Sequence, residues 1–149
     1  MCIGLFSGTF DPIHIGHIEV CLVALGAVQL DEVLVLIEKN PHRKEKVTDY
    51  KHRQKMVELA LADFKTINLF DSKQDNITFD NTMPQLTQTY KKAEFCMIIG
   101  SDMLAHISDW PGASEWLPKL ELIVVLRDNK EKTKVQSQLE KLPTKSSSI

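Results

Sequence analysis

Gly8-Thr9-Phe10-Asp11-Pro12-Ile13-His14-Ile15-Gly16-His17 stands between an apolar run, Ile3–Phe6, and a pattern in which Ile18, Cys21, Leu22 and Leu25 share one helical face. A strand that passes through a short loop into a helix presents backbone N–H groups and a helix N-terminus at one point, which is a site for an anion. His14 and His17 lie three residues apart in that loop. Gly16 between them leaves room for a phosphate, and two imidazoles can donate hydrogen bonds to oxygens that gain charge during a transfer reaction. An ordinary βα loop with two surface histidines is the plainer alternative, and the length of the motif speaks against it.

Outward from this stretch, short runs rich in branched residues recur at Val33–Ile37, Ile67–Phe70, Phe95–Ile99 and Leu122–Leu126. They are too short for helices and read as buried strands. A second helical pattern places Met56, Leu59 and Ala60 on one face, and Lys130–Lys141 reads as a charged, solvated, helix-compatible segment. The alternation predicts an α/β fold, a single domain built on a doubly wound parallel sheet of about five strands. Ligands in such sheets bind beyond the carboxyl ends of the strands. Four polar clusters fall on that edge: Ser7–Pro12, Asn40-Pro41-His42-Arg43-Lys44, Gly100-Ser101-Asp102 and Arg127-Asp128.

The composition narrows the function. With 149 residues, 18 basic and 20 acidic, the chain carries a net charge of −2, so no whole-molecule field holds a nucleic-acid backbone and phosphate binding has to be local. Three widely spaced cysteines, Cys2, Cys21 and Cys96, suit reduced, buried thiols of a cytoplasmic protein and do not suggest a metal site. No apolar run reaches the length of a membrane span. The expected partners are therefore small molecules, with neither nucleic acid nor membrane. A homo-oligomer stays open, because helix faces that pair between copies look like faces that pack internally.

The run Gly8–His17 resembles the signature of the nucleotidyltransferase superfamily, which shares a Rossmann-like sheet and an HxGH element. Class I aminoacyl-tRNA synthetases share the same tetrapeptide, but this chain has no length for an anticodon-binding body and no basic surface for tRNA. Within the superfamily it looks like a bacterial nicotinate-nucleotide adenylyltransferase. Asn40-Pro41-His42-Arg43 resembles that family's Pro-His-Lys segment, Arg53 and Met56 its RxxM pattern, and Gly100-Ser101-Asp102 its G-x-D element. Trp110 stands eight residues after Asp102, where the family stacks an indole on a pyridine ring.

The resemblance implies an adenylyltransferase that joins nicotinate or nicotinamide mononucleotide to the AMP part of ATP and releases pyrophosphate, in NAD biosynthesis. His14 and His17 would be catalytic and would hold the ATP phosphates, with the backbone of Gly8, Thr9, Phe10 and Gly16 facing them. Gly100 and Asp102 would meet the ATP ribose; a helix N-cap is the other reading of Asp102. Arg127 would touch the adenylate, or is an ordinary surface arginine. His42, Arg43, Lys44, Thr78 and Trp110 would bind the mononucleotide; solvated cations and core packing are the alternatives for the lysine-rich run and for Trp110.

Two departures from the family pattern stand out. Its serine-tyrosine-threonine element appears only loosely as Asn76-Ile77-Thr78, which leaves nicotinate against nicotinamide undecided. Ser146-Ser147-Ser148 resembles the start of the family's second ATP signature, a helix start with ATP-binding Ser146 and Ser147, but Ile149 comes before the arginine that completes it. The resemblance thus implies a domain over 1–149 cut short within that signature.

No nucleophile lies beside a base, so the expected mechanism is direct in-line displacement, with magnesium arriving on ATP and no protein ligand for the metal assigned. Two alternatives are kept: an adenylyltransferase for phosphopantetheine or another small phosphate ester, and a non-catalytic nucleotide-binding relative.

Overall fold

The computed structural model describes residues 1–41 and 46–149. Runs with apolar side chains on both faces need cover on both faces, and here they form a six-stranded sheet whose neighbouring strands are all parallel. The strands are β1 (Cys2–Gly8), β2 (Glu32–Ile37), β3 (Ile67–Leu69), β4 (Glu94–Gly100), β5 (Glu121–Val125) and β6 (Ser146–Ser148), in the order β3-β2-β1-β4-β5-β6. The chain winds from β1 to one edge, then returns to place β4 against the other side of β1. The crevice of a doubly wound sheet therefore opens between the ends of β1 and β4.

One face of the sheet carries Phe6, Val33, Val35, Ile98 and Ile123, covered by helix α1 (Ile15–Ala27) through Ile18, Cys21 and Ala24 and by α2 (Tyr50–Leu61) through Val57 and Leu61. The opposite face carries Ile3, Leu5, Leu34 and Leu36 under Leu86 of α3 (Phe79–Thr89). Beyond it, Ile99, Leu122 and Val124 lie under the short helices α4 (Ser101–Leu104) and α5 (Ala113–Trp116) and under α6 (Lys132–Leu139). The central strands β1, β2, β4 and β5 thus divide their residues between the two faces, as the alternation of side chains along a strand requires.

Five strands fall where the apolar runs put them, and three elements differ from expectation. The sixth strand is the serine run, whose Ser146, Ser147 and Ser148 pair with Leu122, Ile123 and Val124; an edge strand can be polar because one partner suffices to bring it into the sheet. Helix α3 is an additional element: it packs Phe79, Met83 and Leu86, at i, i+4 and i+7, together with a buried Thr82 against the sheet, although Pro84 lies inside it. The segment 130–141 is amphipathic, since α6 buries Val135 and Leu139 and leaves its lysines outside. Among the described residues, no helix is long and apolar enough to cross a membrane.

The faces of α2 also exchange places. Met56, Leu59 and Ala60 are not its buried stripe: Leu59 is 67% exposed, and the residues that enter the core are Arg53, Val57 and Leu61. These lie at i, i+4 and i+8 and form an equally regular stripe, but its first member is a cation.

The three cysteines are free. Cys21 and Cys96 are buried, and burial pushes both thiols up to about 12; Cys2 is only half-buried, and desolvation, followed by the nearby Glu94 charge, raises it by less. Because the thiolate is the nucleophile, iodoacetamide at pH 8 should add one label to the folded protein, slowly and at Cys2. Mass spectrometry showing equal labelling of all three cysteines before unfolding would contradict this burial.

Candidate active site

The loop after β1 is built around Phe10. Its backbone has φ of 49°, a conformation that costs a bulky residue about 1–2 kcal/mol. The ring is offset by burial: it packs over Gly8, where a Cβ would stand 3.1 Å from Cζ, and meets Phe6 and His17 edge-on with centroids 5.6 and 5.0 Å away. Burial of a phenylalanine ring contributes about 2–3 kcal/mol. The chain therefore folds its one large side chain inward and keeps the loop backbone at the rim.

His14 caps the N-terminus of α1, which has no acidic residue in its first turn. The positive end of the helix dipole is thus not neutralised from within the turn and favours an anion. The imidazoles of His14 and His17 stack with centroids 3.7 Å apart at 27°. The His14 N–H donates to His17 Nδ1 at 3.2 Å, so in the neutral ring the His17 proton sits on Nε2, a donor. Gly16 also serves its neighbour. A Cβ there would stand 3.2 Å from Cε1 and Nδ1 of His14, so glycine makes room for the His14 ring itself.

Across the crevice, β4 ends in Gly100, and Asp102 turns back over it: a Cβ at 100 would stand 2.6 Å from Asp102 Oδ1. The N-cap of α4 is Gly100, with Asp102 inside the first turn, so the cap reading of Asp102 does not hold. Arg127, just beyond β5, donates from Nη2 to Asp102 Oδ2 at 2.8 Å. Both side chains are exposed, so solvent screens the pair and it adds little stability; its effect is to fix where the carboxylate stands. Behind them Ser101 Oγ donates to Glu131 at 2.6 Å.

Trp110 is half-buried and lies 6.1 Å from the buried Trp116, so its indole is braced on one side and is not a core residue. Thr78 is the N-cap of α3, and its N–H donates to Asn81 Oδ1 at 3.0 Å. Ser146 and Ser147 do not stand at a helix start. They are rungs of the β5–β6 ladder, opposite the first half of β5, and Ser147 Oγ is buried without a partner among the described residues. His42, Arg43 and Lys44 lie outside the described residues.

Arg53, named in the sequence only for its place in the RxxM resemblance, is the residue that ties the loops together. Arg53, only 1% exposed, donates to four carbonyls: from Nε to Thr48 at 2.8 Å, from Nη1 to Thr9 at 2.7 Å and Glu38 at 2.9 Å, and from Nη2 to Lys39 at 3.0 Å. The signal was the arginine heading the 53/57/61 stripe, a charge where the periodicity asks for an apolar residue. Beside it the Tyr50 ring lies under Lys39 Nζ and near the guanidinium. Its hydroxyl donates to Asp71 at 2.6 Å, and burial first, then that bond, hold the phenol above its ordinary range. On the solvent side of α2, a groove of about 630 Å³ opens between Asp11, Pro12, His52, Met56 and Leu59. The apolar residues first expected in the core line this groove instead.

The arrangement joins, within one crevice, a helix N-terminus, oriented imidazole donors, loop amides and a carboxylate. Such a set can hold a polyphosphate and a ribose. The profile of the family described as Cytidylyltransferase-like matches residues 5–149. A Clostridium perfringens strain SM101 protein named "Probable nicotinate-nucleotide adenylyltransferase" is 34% identical over 143 residues, spanning 93% of this chain and 71% of its own length. A Shouchella clausii protein of the same name is 40% identical over 119 residues, 76% of this chain and 62% of its own. In three dimensions the chain is similar to the Plasmodium falciparum nicotinic acid mononucleotide adenylyltransferase complexed with NaAD, with a TM-score of 0.82 at 22% identity over 99% of this chain and 74% of that one.

Proposed function

The chain belongs to the cytidylyltransferase-like family, and from that premise we propose that it transfers the adenylyl group of ATP to nicotinate mononucleotide, in NAD biosynthesis. A phosphate oxygen of the mononucleotide forms a bond to the α-phosphorus of ATP as the bond from that phosphorus to the bridging oxygen breaks. The electron pair leaves with pyrophosphate. The observation that carries the reading is the donor geometry at α1: the Nε2–H of His17, fixed by the bond to Nδ1, and the His14 ring stacked on it stand at the positive end of a helix. There they meet charge that grows on the departing oxygens. The choice of nicotinate follows the names of the relatives.

The loop backbone at Gly8, Thr9, Phe10 and Gly16 faces the phosphates in this reading, and Gly100 with the Asp102 carboxylate, held by Arg127, accepts from the ribose hydroxyls. Magnesium comes with ATP and is held by phosphate oxygens and water. Trp110, braced against Trp116, stacks on the pyridine ring in this reading, and Thr78 binds the same ligand. The reaction belongs in the cytoplasm, where ATP and reduced thiols are found.

Pyrophosphate release from ATP and magnesium, measured with nicotinate mononucleotide, nicotinamide mononucleotide and phosphopantetheine in parallel, tests the proposal. Turnover fastest with nicotinate mononucleotide is expected; no release with either pyridine nucleotide would end it. In the same assay Trp110→Ala should raise KM for the mononucleotide by roughly tenfold, the scale of a lost aromatic stack, and leave KM for ATP within a factor of two. An unchanged mononucleotide KM would remove Trp110 from the site.

A further inference from the structure

We propose that Arg53 is a positioning residue of the phosphate loop, which draws the Thr9 carbonyl inward and so aims the Phe10 N–H at the phosphates; this rests on the function proposed above. The guanidinium ties three separate segments. Its Nη1 holds Thr9 at 2.7 Å in the loop after β1 and Glu38 at 2.9 Å beyond β2; Nη2 holds Lys39 at 3.0 Å, and Nε holds Thr48 at 2.8 Å just before α2. The Thr9–Phe10 peptide is trans, and in a planar trans peptide the C=O and N–H point in opposite directions. Arg53 pulls on the carbonyl from the β2 side of β1, so the N–H turns to the β4 side, where Asp102 stands. Among the described residues no acceptor meets that N–H.

A second consequence concerns charge. Among the described residues the guanidinium forms no ion pair with a carboxylate; it bonds four carbonyl oxygens and lies 5.8 Å from the centroid of the Tyr50 ring. A buried cation whose bonds go to carbonyl dipoles adds a fixed positive potential behind the loop, on the side away from solvent. Arginine suits this position because its planar fork serves carbonyls of several segments at once, which a lysine ammonium on a flexible stem does not.

The test uses the full chain and its Arg53→Lys variant. In wild type the Phe10 amide cross-peak should shift and saturate as inorganic pyrophosphate is added. In R53K the same shift should need at least tenfold more pyrophosphate. In the pyrophosphate-release assay R53K should lose roughly 10- to 100-fold in kcat, the scale of a misplaced contact; a residue that served stability alone would not move kcat in a folded variant. The proposal is overturned by a wild-type Phe10 amide that ignores saturating pyrophosphate while the His17 ring signals respond, or by a folded R53K with wild-type kcat. The wild-type titration decides even where R53K does not fold. Absence of turnover in wild type with both pyridine mononucleotides would instead overturn the function, and the titration would still read the loop.

Discussion

His17→Ala should lower turnover at least 100-fold, about 2.7 kcal/mol of transition-state stabilisation, the amount typically lost with one oriented donor to a developing charge. The melting temperature should stay within a few degrees of wild type, because the ring is half-buried and packs on the exposed His14 ring and the edge of Phe10. The tautomer makes the prediction sharper. Nδ1 already accepts from the His14 N–H at 3.2 Å, so the useful donor is Nε2. His17→Gln, whose amide nitrogen reaches the place of Nε2, should recover part of the loss, and His17→Asn, which mimics Nδ1, should recover none. Steady-state kinetics on the three variants separate these outcomes, and near wild-type turnover in the alanine variant would refute the site.

The largest effect on stability is expected at Arg53. Truncation to alanine removes a side chain that is 1% exposed and strips four carbonyls of a charged donor, which should cost about 3–5 kcal/mol. For a chain of this length that lowers the thermal midpoint by roughly 10 °C or more. Val57→Ala on the same stripe loses only two methyl groups and should cost about 1–2.5 kcal/mol. Arg53→Met restores the packing of the stem without the bonds, so it should recover a minor part of the loss. Thermal melts followed by circular dichroism give the ranking; an Arg53→Ala protein within 1 kcal/mol of wild type would show that water replaces the guanidinium without cost.

The fold class was legible because its signal is local and repeated. Ile3–Phe6, Val33–Ile37 and Phe95–Ile99 have no polar face, which marks strands covered on both sides, and the helical pattern after His17 sets α1. The location of the crevice followed, since Gly8–His17 and Gly100–Asp102 each sit at the end of such a run. What escaped was every feature whose cause lies elsewhere in the chain. A serine run has no strand signal of its own; the free edge of β5 makes β6. On α2, two stripes were equally periodic, and the sheet selected 53/57/61, a stripe led by an arginine. Nothing near Arg127 in sequence announces Asp102, 25 positions away, as its partner.

By itself, the order of residues determined a parallel α/β sheet and the stretch that carries the imidazole pair, because hydrophobic period and loop chemistry act over a few neighbours. Only the tertiary structure decided which nitrogen of His17 bears the proton, what Gly16 makes room for, and why a cation sits in the core of α2. Those depend on bonds between segments that meet only after folding: Arg53 reaches Thr9 across 44 positions. No pattern confined to a local window encodes where a carbonyl will need a donor.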